Sequence, residues 1–168
     1  MPWIITENYI GGQAIASTDT VQNHPLGTIV RGRQTDTGGG GGEFIYLLGV
    51  ASTVVGSLVT YNATTFQTTL SPTGATTDGA PLAVAMSANV GSQYGWYQIG
   101  GLATIKKTAV AIAPSTGLWL SGTAGRVYAT ASTGKGIVGA RSANLTTVAS
   151  ATSTVTVLIN RPAIETAT

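Results

Sequence analysis

From residue 43 to residue 160 the chain is a string of short runs rich in Val, Ile, Thr, Leu and aromatic residues, and no run keeps a helical period for three turns. β-Branched side chains lose rotamer freedom in a helix but pack well on a pleated surface, so this texture predicts strands. Turn-forming residues punctuate the runs, as at Pro72-Thr73-Gly74 and Asp78-Gly79, and bend the chain between them. The pattern places strands at 43–48, 54–62, 66–70, 82–86, 94–99, 102–107, 118–120, 126–131, 136–141 and 155–160, after an earlier one within 26–33. Such spacing without intervening helices predicts an all-β chain, a single small β-sandwich or β-barrel domain.

Particular runs say more. Residues 43–48 are apolar on both alternating faces, which predicts a strand covered on both sides. At the C-terminal end Val155, Val157 and Ile159 share one face, while Thr154, Thr156 and Asn160 line the other, the period of a half-buried strand. Gly100-Gly101 lies between two apolar-rich runs and reads as a two-residue hairpin turn, because glycine tolerates positive φ. One short helix is placed near Val90, and the Thr/Ala-rich stretch 144–154 is placed as an exposed loop. No strict internal repeat is visible, although segments of small residues plus Val recur.

Ahead of this series the chain changes character. Trp3, Ile4, Ile5, Tyr9, Ile10, Ile15 and Val21 are scattered with neither a period of two nor one of 3.6, which reads as an extended N-terminal arm. Five consecutive glycines, Gly38 to Gly42, lose the most backbone entropy on ordering and mark a break. The predicted division is therefore an arm over 1–42 and a β-sandwich or β-barrel domain over 43–168. Bare, an arm carrying Trp3, Ile4 and Ile5 is an aggregation hazard and needs a cover. The alternative, a first strand tucked into its own core, stands beside it.

Charged residues make up only 8% of the 168 residues, against about 25% in ordinary soluble domains. Such a surface repels neighbours weakly and suits a chain packed against other protein. The net charge of +2 comes from eight basic side chains spread along most of the sequence. Without a polybasic cluster to track phosphates, nucleic acid is not an expected partner. Cys is absent, excluding disulfides, thiolate metal sites and a Cys nucleophile, and matching a reducing cytoplasm. The N-terminal residues have no basic segment followed by an apolar one, and no stretch approaches the roughly 20 apolar residues of a membrane helix. The expectation is a soluble chain without a membrane partner.

The material for chemistry is thin. His24, the one histidine, precedes Pro25 with no nearby carboxylate beyond Asp19, so it is assigned no role. Asp36-Thr37-Gly38 matches the short signature of aspartic proteases, but it follows polar residues instead of the apolar strand that a dry carboxylate pair requires. Thr133-Gly134-Lys135-Gly136 lacks the Ser or Thr that completes a phosphate loop. Asn62-Ala63-Thr64 and Asn144-Leu145-Thr146 match the glycosylation triplet, which carries no meaning without secretion. Lys106 and Lys107 fall on opposite faces of one strand and read as solvated edge charges. No enzyme, cofactor or metal is expected.

Aromatic residues cluster at Tyr94, Trp96 and Tyr97, with Trp119 further on. Tyr94 and Trp96 share a strand face and Tyr97 takes the other, so one side is core and the other is exposed or at an interface. An adhesin-type module holding host glycans on Tyr94, Trp96 and Trp119 is the alternative functional reading.

Several strings together resemble a family. Pro25-Leu26-Gly27-Thr28, Gly42-Glu43-Phe44-Ile45-Tyr46-Leu47, Gly49-Val50-Ala51, Pro81-Leu82-Ala83-Val84-Ala85 and Gln93-Tyr94-Gly95-Trp96-Tyr97-Gln98 are similar in texture to capsid decoration, or cement, proteins of tailed bacteriophages. The resemblance implies a structural virion protein, made in the host bacterial cytoplasm and seated on the outer capsid surface. It also implies a homotrimer that binds the major capsid protein and stabilises contacts between capsomers. Interface residues expected on this reading are Trp3, Ile4, Ile5, Tyr9 and Ile10 on the arm, Arg31 and Arg33 as capsid-facing charges, and Tyr94 and Trp96. A head fibre binding host glycans is the second possibility.

Overall fold

The computed structural model describes residues 3–7, 12–35 and 40–166. Among these residues there is no helix, the one sketched near Val90 included. Twelve strands run in chain order: β1 (Trp3–Ile5), β2 (Thr18–Asp19), β3 (Ile29–Gln34), β4 (Gly41–Leu48), β5 (Leu58–Tyr61), β6 (Thr68–Leu70), β7 (Leu82–Ala85), β8 (Tyr94–Lys106), β9 (Gly117–Leu120), β10 (Val127–Tyr128), β11 (Gly136–Ser142) and β12 (Thr154–Ile164). All belong to one antiparallel sheet that does not close. The chain is all-β.

Strand β8 organises the rest. Its first half pairs with β4 along one edge and with β2 and β7 along the other. At Gly100 the second edge passes to β12, which stays paired as far as Lys106. Gly100-Gly101 is therefore the middle of a continuous strand, and the expected hairpin is absent. The glycines answer a different need, close approach of backbones where β4 and β12 both flank β8. Gly101 has φ +90, and a Cβ there would stand 2.2 Å from the Gly41 carbonyl oxygen. A bulge opposite Glu43 and Phe44 bends β8 at the same place, so one strand serves two lobes.

The lobes share one topology. In the first, the pairing order is β4-β8-β7-β5-β6; in the second it is β8-β12-β11-β9-β10. Each ends on an isolated parallel bridge back to its first strand, Leu48 with Gln67 and Lys107 with Val127. The fold thus repeats where the sequence shows no strict repeat. Pairing order depends on strand lengths and turns, which different side chains can satisfy equally.

Among the described residues, three buried clusters form the core. Phe44, Tyr46 and Trp96 pack with Ile15 and Val30 on the outer face of β4 and β8. Ile45, Leu47, Tyr97 and Ile99 pack with Val59, Ala83 and Ala85 behind them. A third cluster gathers Ala103, Ile105, Leu118, Leu120, Val155, Val157 and Ile159. Strand β7 is the wall between two of these, since Leu82 and Val84 enter the third cluster and Ala83 and Ala85 the second. The expectations for 43–48 and 155–160 both hold, because alternation decides which side chains each face buries.

Ahead of β4, Trp3–Ile5, Thr18–Asp19 and Ile29–Gln34 all belong to this sheet. Strand β1 pairs with β3, and β3 pairs with β4, so Trp3–Ile5 takes the first-strand alternative. The Trp3 ring meets Phe44 edge-on with centroids 5.1 Å apart. Residues 36–39 lie outside the described residues, while Gly41 and Gly42 form the start of β4. Gln13 ties the segment down: its carbonyl accepts from Trp96 Nε1 at 2.9 Å, and its Oε1 accepts from the Tyr46 hydroxyl at 2.7 Å. Its amide Nε2 donates to the carbonyls of Ser17 and Tyr94.

Candidate functional site

The six residues of β3 alternate in burial, so Val30 and Gly32 turn inward while Ile29, Arg31 and Arg33 turn out. Gly32 has no room for a side chain, since a Cβ would stand 2.9 Å from the Ile4 carbonyl oxygen and 3.0 Å from the Phe44 ring. Ile4 lies opposite Arg33, and directly opposed residues of an antiparallel pair point the same way. One exposed face therefore carries Ile4, Ile29, Arg31 and Arg33.

Beside this face lies a groove of about 720 Å³. Its floor is backbone, from Gly32, Gly41, Gly42, Gly100 and Gly101 at the crossing of β3, β4 and β8. Its rim is charged. Arg31 Nε stands 3.7 Å from Glu43 Oε1, and Arg161 Nη2 donates to Glu43 Oε2 at 3.3 Å. Arg33 forms no ion pair among the described residues. Three guanidinium groups and one carboxylate leave the rim positive. Both arginine partners of Glu43 are more than 60% exposed, so each pair contributes at most about 1 kcal/mol to stability. Such arginines remain available to a partner's carboxylates, which they grip in bidentate fashion. Leu158 adds an apolar wall to the groove and pairs across the sheet with Leu102, both exposed.

Of the residues expected at an interface, the structure brings Ile4, Arg31 and Arg33 together on the outside. Trp3 and Ile5 are half-buried against the first core cluster. Tyr9 and Ile10 lie outside the described residues, as does Asp36. Tyr94 is half-buried and stacked on Tyr46 with centroids 6.3 Å apart. Trp96 is fully buried, so its expected place at an interface or under a glycan is corrected: its ring and its one donor are both consumed by the core. Glu43 and Arg161 were not among the expected residues. Their signal in the sequence is that each is an isolated charge in an otherwise uncharged strand.

A histidine and a lysine are also internal. His24 is buried between Tyr46 and Trp96, and its Nε2 accepts the Gln13 backbone N–H at 3.0 Å. That bond assigns the neutral imidazole with its proton on Nδ1, and burial pushes its pKa below the usual value. Lys107 is not the solvated edge charge that its position suggests. It is buried, and Nζ donates to the carbonyls of Val110, Thr108 and Ser150 at 2.7, 3.3 and 3.3 Å. Burial lowers its pKa, and the three carbonyls replace the water it has lost.

No family model, no curated protein and no solved structure matches the chain.

Proposed function

We propose that this chain is a structural virion protein that binds the outer surface of a tailed-phage capsid and stabilises contacts between capsomers. The observation that carries the reading is the exposed face on which Ile4, Ile29, Arg31 and Arg33 adjoin the arginine-rimmed groove. Arginine beside apolar side chains is the composition of protein–protein interfaces, where a guanidinium covers apolar surface with its stem and reaches carboxylates with its head. The sparse charge elsewhere supports a life packed against protein, and the similarity of the quoted strings to decoration proteins supplies the class of partner, the major capsid protein. A homotrimer would multiply modest contacts by engaging several capsomers at once.

The test uses the full chain and empty shells assembled from a tailed-phage major capsid protein. Saturable co-sedimentation is expected, weakened about tenfold or more when Arg31→Glu and Arg33→Glu are combined, because like charges then meet the acidic partner groups. Absence of co-sedimentation by the unaltered chain defeats the reading. Light scattering of the free protein checks the trimer.

A further inference from the structure

We infer that the hollow around Trp119 in the second lobe is a saccharide-binding site. The inference does not rest on the capsid reading, because it concerns a different lobe and a different set of residues.

The repeated topology makes the case. In the first lobe Thr60 on β5 pairs with Thr69 on β6 and with Leu82 on β7. In the second lobe the same place is held by Trp119 on β9, paired with Tyr128 on β10 and Gly136 on β11. In the first lobe the two threonine hydroxyls satisfy each other at 2.6 Å. The fold is content with small polar side chains there, so the large ring is not a demand of packing. Trp119 is only half-buried, whereas its neighbours Leu118 and Leu120 are 1% exposed.

The surroundings suit a sugar. The Trp119 ring lies along β9 over Gly117, where a Cβ would come within 3.3 Å of it. It borders a hollow of about 770 Å³ that is also lined by Glu165, Thr77, Ser132, Thr133 and Thr166. The Glu165 carboxylate sits directly over Gly136, the residue paired with Trp119, where a Cβ would stand 2.3 Å from Oε2. The carboxylate thus lies on the face of β11 that Trp119 shares across the β9–β11 pair. An indole face accepts the apolar C–H face of a pyranose, and a carboxylate accepts two hydroxyl donors from a neighbouring diol. Val138, 52% exposed, extends the apolar surface. The walls are formed before any ligand arrives: Lys135 Nζ donates to the Thr73 carbonyl and Thr76 N–H to the Gly134 carbonyl, both at 2.6 Å. A preformed wall spares the ligand the cost of ordering it. A ring and a carboxylate alone would equally suit a cation, but four hydroxyl-bearing residues among those lining the hollow favour a polyol.

The experiment applies the full chain to a microarray of neutral and acidic oligosaccharides and to an N-trimethyl-lysine peptide. The brightest saccharide is then titrated against tryptophan fluorescence. Saturable binding is expected, reduced about tenfold or more by Trp119→Thr, the residue type at the equivalent first-lobe position, and by Glu165→Gln. Trp119→Phe should retain most of it. Thermal melts establish that each variant is folded, and Glu165→Gln carries the test alone if Trp119→Thr is not. No binding to any saccharide overturns the proposal. So does binding that ignores both substitutions, or binding to the trimethyl-lysine peptide alone.

Discussion

Replacing Gly101 by Ala should be among the most damaging single-methyl changes this chain can suffer, and replacing Gly100 should be nearly harmless. At Gly101 the backbone has φ +90 and the new Cβ would stand 2.2 Å from the Gly41 carbonyl oxygen and 3.1 Å from the Gly42 Cα. The left-handed conformation alone costs an L-residue about 1–2 kcal/mol. Relieving a collision with backbone means displacing β4 from β8 at the crossing, which adds about 1–3 kcal/mol by analogy with overpacked cores. The sum is about 3 kcal/mol, or a fall in melting temperature of about 6–12 °C for a chain of this size. At Gly100 the φ is not left-handed and the nearest atom, the Glu43 Cβ, is 3.3 Å away, a contact that a backbone shift of a few tenths of an ångström relieves, so the cost is about 1 kcal/mol or less. Chemical denaturation with matched m-values measures both. A two-residue hairpin turn of the commonest type needs positive φ at both positions, so it would make the two variants similar. Equal, modest losses would refute the crossing-strand account.

Two further outcomes follow from the buried polar residues. Gln13→Leu keeps the volume but leaves the Tyr46 hydroxyl without its 2.7 Å acceptor and the Ser17 and Tyr94 carbonyls without their donor, which should cost about 2–4 kcal/mol in denaturation. Loss of under about half a kcal/mol would mean that the Gln13 side chain does not hold the N-terminal segment. His24 has a folded pKa below the unfolded value of 6.5 because burial disfavours its charge. As pH falls from 6.5 the unfolded chain takes up a proton that the folded chain refuses, so stability is at its plateau above that value and declines below it. Unfolding free energies measured from pH 7.5 down to pH 5 should show that decline, and His24→Gln should flatten it; equal slopes would exclude His24 as the source.

The sequence carried the strands better than it carried their partners. Alternation at Val155, Val157 and Ile159, and double-sided apolarity from Phe44 to Leu47, reported burial correctly because each face of a strand answers to its own core. Gly100-Gly101 misled because glycine serves both a turn and a close backbone crossing, and only the partners of the strand distinguish them. Trp96 and Lys107 misled for a related reason. Whether an aromatic or a lysine is inside depends on what covers its face, and for Trp96 that cover is Gln13 and His24, some eighty residues earlier. Arg31 and Arg33 were legible as exposed charges, whereas the groove was not, since Glu43 and Arg161 come from strands far apart in sequence.

The repeated topology lets one lobe be compared with the other. Two lobes with one pairing order set equivalent strands in equivalent places, so a difference between equivalent faces reports what each face meets. In the first lobe the outer face of β4 and β8 carries Phe44, Tyr46 and Trp96 and is sealed by residues of the N-terminal segment, Ile15 and Val30 among them. In the second, the outward residues of β8 and β12 include Leu102, Thr104 and Leu158, all exposed. The N-terminal segment thus converts one copy of the face into core and carries Arg31 and Arg33 to the boundary with the other. The groove lies along that boundary because β8 is shared: one strand needs glycine where β4 and β12 both flank it, and glycine leaves a floor without side chains. The arginine rim and the hollow at Trp119 are both departures of one lobe from the other, and binding function is to be sought at such departures.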